Sequence, residues 1–213
     1  LQTKYPQGSK RQLIYAATGV ATHSSMRTSE TGVMIDNVET IIHIYQAVVK
    51  GRPSIERIVT VTGDGITAPS NFKVCFGTNQ RELIEAAGGM AEGVQKVISG
   101  GPMMGTAIYT VDTPVIKTTS AILCMKEDEI SKEEPTPCIN CGRCVEVCPS
   151  RIIPSRLAMC AENGNEENFV KLNGMECIEC GSCSYVCPAK RQLKQAIVAM
   201  RQTVSANRKK NRK

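Results

Sequence analysis

Tryptophan is absent from the 213 residues, and aromatic side chains make up only 4% of them. Hydrophobic residues still reach 41%, so a core can form, but it has to be built mainly from aliphatic side chains and methionine. No run of eighteen apolar residues occurs, which excludes a membrane-spanning helix. Acidic residues are missing from Pro188 onward, where nine Lys or Arg stand alone. The net charge of +6 therefore belongs to the end of the chain, and the remainder is slightly acidic. That basic segment also lacks aromatic residues, which argues against a nucleic-acid partner bound by stacking. The sequence has no starting Met and no secretory pattern; beginning at Leu1, it reads as a fragment of a longer chain.

What the chain does hold is cysteine, eleven in all, and eight of them fall in two runs. Residues 138–149 read Cys-Ile-Asn-Cys-Gly-Arg-Cys-Val-Glu-Val-Cys-Pro, and residues 177–188 read Cys-Ile-Glu-Cys-Gly-Ser-Cys-Ser-Tyr-Val-Cys-Pro. Both follow the C-x2-C-x2-C-x3-C-P spacing of bacterial [4Fe–4S] proteins. Three thiolates two residues apart let a tight loop wrap a cluster, while the fourth leaves ahead of a proline. In two-cluster ferredoxins that fourth thiolate serves the other cluster. The spacing thus assigns one cluster to Cys138, Cys141, Cys144 and Cys187, and a second to Cys177, Cys180, Cys183 and Cys148. Structural zinc sites use two separated pairs and leave the third and fourth cysteines of each run unexplained. A disulfide framework fits less well, because such closely spaced thiols suit metal better than pairing. Thiolate ligands to oxidation-prone iron imply a reducing compartment.

The rest of the chain reads as α+β. Residues 1–52 form a first segment: a helix between Ser9 and Gly19, a polar loop, a short strand Val33–Ile35 and a helix over 37–49 ended by Gly51. Residues 53–118 alternate strand and helix: strands over 56–63 and 71–76, a helix over 79–87 capped by Asn79, then strands over 94–98 and 107–111. This pattern predicts a β-grasp-like sheet packed on one helix. Gly100-Gly-Pro-Met-Met-Gly105 is read as a tight interdomain turn in preference to a phosphate site. Residues 119–137 supply strands (with Pro114–Lys117 before them and Ala121–Met125) and an acidic linker. Residues 138–206 form the helical two-cluster domain, with 28 residues, Pro149 to Glu176, between Cys148 and Cys177 and a last helix carrying Leu193, Ile197, Met200 and Val204 on one stripe. Residues 207–213 are expected to be a disordered basic tail, free to meet an acidic partner or anionic lipid or simply to keep the chain soluble. Cys75, Cys124 and Cys160 lie outside the runs and read as packing residues; His43 and His23 read as surface or packing residues.

Four stretches together resemble the C subunit of the Rnf complex, the ion-translocating ferredoxin:NAD oxidoreductase. They are Lys4-Tyr-Pro-Gln-Gly8, Gly32-Val-Met-Ile-Asp-Asn-Val-Glu-Thr40, Gly100–Gly105 and the paired cysteine runs. The resemblance covers nearly the whole chain, and residues 53–118 are similar to the soluble-ligand-binding β-grasp domain of that family. It implies an electron-relay subunit, peripheral on the cytoplasmic face of the membrane, with the other subunits and a ferredoxin or ferredoxin-like subunit as partners. It also implies FMN and NADH in the full-length family. The Gly-rich flavin and NADH region of the family is not found in this sequence, so residues 1–52 read as a remnant of the flavin-type domain, without a complete catalytic site. Asn37 lies where a complex I relative borders its flavin. The resemblance leaves open a cobalamin reductase of the same wider family, and the residues alone leave open a non-redox interaction module. On charge alone, Arg143 raises the potential of the first cluster and Glu179 lowers that of the second, while the Gly142 and Gly181 amides are positioned as donors to sulfur.

Overall fold

The computed structural model describes residues 1–128 and 132–210. The chain forms two compact units, one of Leu1–Ile35 with Glu133–Lys213 and one of Asp36–Lys132. The single segment expected over 1–52 is therefore divided: its first 35 residues pack with the cysteine-bearing region and the rest with the sheet.

In the second unit, helix α2 (Val38–Lys50) starts where Asn37 accepts a hydrogen bond from the Glu39 amide at 2.9 Å, and it stops at Gly51 with φ of 62°. The Glu39 carboxylate fastens this helix to the first strand, β1 (Glu56–Thr62). One of its oxygens accepts from the Ile58 amide at 2.7 Å and the other pairs with Arg57 at 3.0 Å. After β1 come β2 (Ser70–Cys75), α3 (Gln80–Ala86), β3 (Lys96–Ser99), β4 (Thr106–Ile108) and β5 (Ala121–Met125). The strands form one five-stranded sheet in the order β2-β1-β5-β3-β4. Only β1 and β5 run parallel, with Val61 opposite Ile122; the other three pairings are antiparallel. Alternate residues turn to one face, so Val59 and Val61 of β1 and Ile122 and Cys124 of β5 meet Leu83 and Ile84 of α3 in the core. Asn79 caps α3 by accepting from the Arg81 amide, and Glu82 reaches back to the Asn79 amide.

Several expectations are corrected in this unit. The strand expected at Ala121–Met125 is present as β5, but it is the middle strand of the sheet, so the sheet extends past residue 118. Val33–Ile35 forms no strand, and Pro114 makes only an isolated bridge to Asn79. A prolyl nitrogen has no hydrogen to give a ladder, which keeps that segment out of the sheet. Gly100–Gly105 joins β3 to β4 within the unit instead of linking domains. The Gly105 amide donates to the Gly101 carbonyl at 2.7 Å, and a Cβ on Gly105 would stand 2.5 Å from Ile98 Cγ2. Cys75, read as buried, is exposed at the end of β2, whereas Cys124 is fully buried.

The first unit is helical. It contains α1 (Lys10–Thr18), α4 (Arg143–Glu146), α5 (Pro154–Glu162), α6 (Glu166–Lys171), α7 (Ser182–Tyr185) and α8 (Leu193–Lys210). Pro154 opens α5 at a position where its missing N–H leaves no bond unmade. Leu193, Ile197, Met200 and Val204 are the buried residues of α8, as their helical spacing predicts. Ile197, Met200 and Val204 pack with Ile152, Leu157 and Phe169 in one cluster. Gly174 lies against the Phe169 ring, whose nearest carbon would be 2.3 Å from a Cβ placed there. Helix α8 runs to Lys210, past the expected boundary at residue 206. Asn207, expected in a disordered tail, donates to Glu166 at 2.8 Å, and Arg208, Lys209 and Lys210 place positive charge where the helix dipole favours it. Residues 211–213 of that tail, and 129–131 of the acidic linker, lie outside the described residues.

Candidate metal centre

The two cysteine runs fold alike. In each, the residue after Cys-Ile adopts a left-handed conformation: φ is 55° at Asn140 and 60° at Glu179. The glycine two residues later does the same, with φ of 78° at Gly142 and 82° at Gly181, and each glycine is the N-cap of a one-turn helix. Arg151 and Lys190, three residues beyond the last cysteines, share φ of 52°. The repeated sequence therefore specifies a repeated loop. The first, second and third thiols of each run curl inward, and the fourth leaves from the end of α4 or α7.

The eight cysteines surround two cavities. Cys138, Cys141, Cys144 and Cys187 line one, together with Ile139, Val145 and Leu193. Cys148, Cys177, Cys180 and Cys183 line the other, together with Ile152 and Ile197. The last cysteine of each run thus lines the cavity of the other run. The cysteine outside the runs in this unit, Cys160, packs with the helical core and lines neither cavity.

The second cavity is the more enclosed. Burial, reinforced by the nearby Cys177 and Cys180 thiols, pushes the Cys183 thiol up to about 12. Burial likewise raises Cys177 and Cys148. Crowded thiols of this kind resist becoming thiolates by themselves, and cationic iron, if held there, would supply the charge that makes them ionise. Four cysteine sulfurs lining one cavity fit an iron–sulfur cluster in their donor chemistry, although among the described residues no three of them converge on the position of a single metal ion. The Glu179 amide donates to the Cys177 sulfur at 3.4 Å, and nearby backbone amides partly offset the burial that raises the Cys148 and Cys183 thiols. Beside the first cavity stands Arg191, for which burial opposes the charge but ion pairing with Glu162 at 2.5 Å preserves it.

A second layer of contacts was not legible in the cysteine spacing. Tyr5 donates its hydroxyl to the Cys180 carbonyl at 2.6 Å. Gln12 donates to the Pro149 carbonyl at 3.1 Å. Arg11 donates to the Glu176 carbonyl at 2.9 Å and ion-pairs with the Glu176 carboxylate. The Ser24 amide donates to the same carboxylate at 2.9 Å. Burial alone would favour a protonated Glu176, but the bonds from Ser24 and Arg11 outweigh it and hold the carboxyl below its usual range. These partners are separated by 137–175 positions, beyond the reach of any local pattern. Only the Lys4–Gly8 stretch, which carries part of the family resemblance, hinted at this region. Asn37, by contrast, caps α2. His23 bonds Ser25 in an exposed loop.

Comparison with known proteins agrees with this geometry. A 4Fe-4S dicluster domain model matches residues 137–191, and an SLBB domain model matches residues 58–107. Over 212 residues the chain is 42% identical to the C subunit of the Na(+)-translocating ferredoxin:NAD(+) oxidoreductase complex of Acetobacterium woodii. The chain is a homologue of the Rnf C subunits. It is also 40% identical over 162 residues to the C subunit of the proton-translocating ferredoxin:NAD(+) oxidoreductase complex of Clostridium ljungdahlii. With the C subunit of the ion-translocating oxidoreductase complex of Rhodobacter capsulatus it shares 38% identity over 173 residues. These matches cover 99%, 76% and 81% of the chain but 48%, 35% and 33% of the relatives, so it spans between a third and a half of their length. Among the described residues no helix is long and apolar enough to cross a membrane.

Proposed function

We propose that the chain is the electron-relay part of a membrane-associated, ion-translocating ferredoxin:NAD oxidoreductase and that it holds two [4Fe–4S] clusters. The observation that carries this reading is the division of the eight run cysteines between two cavities, four to each. On this reading Cys138, Cys141, Cys144 and Cys187 hold one cluster, and Cys177, Cys180, Cys183 and Cys148 hold the other. The exchange of the last cysteine between runs supports a linked pair over two independent sites. Each cavity is lined by the third cysteine of its own run and the fourth of the other, the very residues that a zinc site built from two pairs leaves unexplained.

When bound, each cluster takes up and returns one electron at a time. The chain supplies the rest. Its loops hold the thiolates at fixed spacing, its amides donate to sulfur, and the aliphatic walls around Ile152 and Ile197 exclude water from the second cavity. For residues 53–125 we assign a β-grasp domain: strand order β2-β1-β5-β3-β4, a single parallel pair and one helix over the core support it. Residues 138–210 together with 1–35 make up the two-cluster domain. On this reading any flavin and NADH chemistry belongs to the full-length proteins of the family and not to this chain alone. The partners on this reading are the other subunits of the complex and a ferredoxin, with the chain held peripherally at the cytoplasmic face of the membrane.

The test is anaerobic purification followed by iron and acid-labile sulfide analysis and EPR through a redox titration. About eight irons and eight sulfides per chain, with interacting signals on reduction, are expected for two neighbouring clusters. Zinc in their place, or clusters that low-potential donors cannot reduce, would overturn the relay reading.

A further inference from the structure

The two runs share a backbone but not their surroundings. In the first, Ile139 is 66% exposed, and Cys141 and Gly142 are exposed beside it. At the matching positions of the second, Ile178 is half-buried, and Cys180 and Gly181 are buried. Residues 5–24 reach the second run and, apart from Gln12 at Pro149, have no counterpart bonded to the first among the hydrogen bonds of the described residues. Tyr5 binds the Cys180 carbonyl, Gln12 binds the carbonyl of Pro149 just after Cys148, and Arg11 and Ser24 both bind Glu176 just before Cys177. The segment thus grips the chain at three of the four cysteines that line the second cavity. Arg11 and Ser24 both bond the Glu176 carboxylate, contacts strengthened by charge, and the Glu176 and Arg11 side chains are only 26% and 20% exposed.

We propose that residues 5–24 form a clasp that seals the second thiol set and makes the two clusters unequal. This rests on the two-cluster reading above. The cluster on Cys138, Cys141, Cys144 and Cys187 is then the solvent-facing, readily lost one. The cluster on Cys148, Cys177, Cys180 and Cys183 is retained, because water or a chelator reaches its sulfurs only after the clasp opens. Opening is a local unfolding step whose equilibrium the Arg11, Ser24 and Tyr5 bonds oppose. Arg11 and Tyr5 act as positioning residues, through backbone and carboxylate groups next to the thiols.

The experiment follows iron release from the full chain, loaded anaerobically, into an excess of a coloured iron chelator. Two phases of similar amplitude are expected, and Cys141→Ala should remove only the fast one. Arg11→Met and Tyr5→Phe should quicken the slow phase about five- to tenfold, the loss of one or two hydrogen bonds, and leave the fast phase unchanged. Arg11→Lys should restore part of the delay. A single phase in the parent chain, or variants that quicken both phases equally, would overturn the proposal. Hydrogen–deuterium exchange on the unaltered chain gives a second reading that needs no variant to fold. Residues 177–186 should exchange more slowly than 138–147, and equal or faster exchange would again count against the clasp. A chain that takes up no iron would defeat the two-cluster reading instead, and the exchange comparison would still judge the clasp.

Discussion

Arg201, in the middle of α8, forms an ion pair with Glu179, the residue between Cys177 and Cys180. Its guanidinium also donates to the Met175 carbonyl at 3.4 Å. Read from sequence, Glu179 is a bare negative charge beside the second thiol set that lowers its potential. In the fold a positive charge offsets it. Arg201→Met should therefore lower the midpoint potential of the second cluster and leave the first nearly unmoved, because a carboxylate without its partner disfavours an added electron. It should also cost about 1–3 kcal/mol of stability. An EPR-monitored redox titration checks the first expectation, and a second potential unmoved by the substitution would sink it.

Cys160, outside the runs, separates ligand from packing residue in the helical unit. Cys160→Ala should keep the full iron complement and cost about 1 kcal/mol, the loss of one partly buried side chain from the helical core. On the two-cluster reading, Cys180→Ala or Cys183→Ala should remove about half of the iron, since each would take one ligand from one of two clusters. Iron analysis of the purified variants decides this, and loss of iron from Cys160→Ala would overturn the assignment.

Cys75 and Cys124 should differ sharply toward an alkylating reagent. Cys75 is exposed and should react in the native protein; Cys124 has no exposed surface and should react only after unfolding. Burial raises the Cys124 thiol above its usual value near 9. The neutral buried thiol contributes stability below its ordinary titration range, and that contribution is lost as pH rises through the raised value in the fold. Cys124→Val should flatten part of the alkaline loss of stability, as measured by chemical denaturation at a series of pH values.

Gly174→Ala probes a single close approach. A Cβ there would meet the Phe169 ring at 2.3 Å, and Phe169 is fully buried in the helical core. Overpacking of this kind costs about 1–3 kcal/mol. Because Cys177 follows by three residues, the variant should also hold its second cluster less firmly, which chelator release would register as a faster slow phase. A thermal midpoint unchanged from the parent would mean that the ring moves aside freely.

Much of the local structure was legible in the residues themselves. Asn79 with Glu82, the Asn37 cap and Gly51 marked helix ends, because caps depend on side chains within one turn. The Leu193, Ile197, Met200 and Val204 stripe marked the buried face of α8 for the same reason. Helix α8 outran its expected end because basic residues there suit the helix terminus as well as they suit a tail. The cysteine spacing prescribed two matching loops, since the positive φ at residues 140, 142, 179 and 181 recurs wherever the motif does. What the spacing left undetermined is how each loop is covered. Cys75 and Cys124 both sit in alternating strands, yet one lies exposed and the other in the core, because burial depends on which strand occupies the middle of the sheet. The division of residues 1–52, the grip of Tyr5 and Arg11 on the second run and the Arg201–Glu179 pair all join groups far apart in the chain. Local propensity acts over a few residues, while burial and charge pairing act between surfaces that meet only after folding, so the chemistry of the runs was written in the sequence and their inequality arose from tertiary packing.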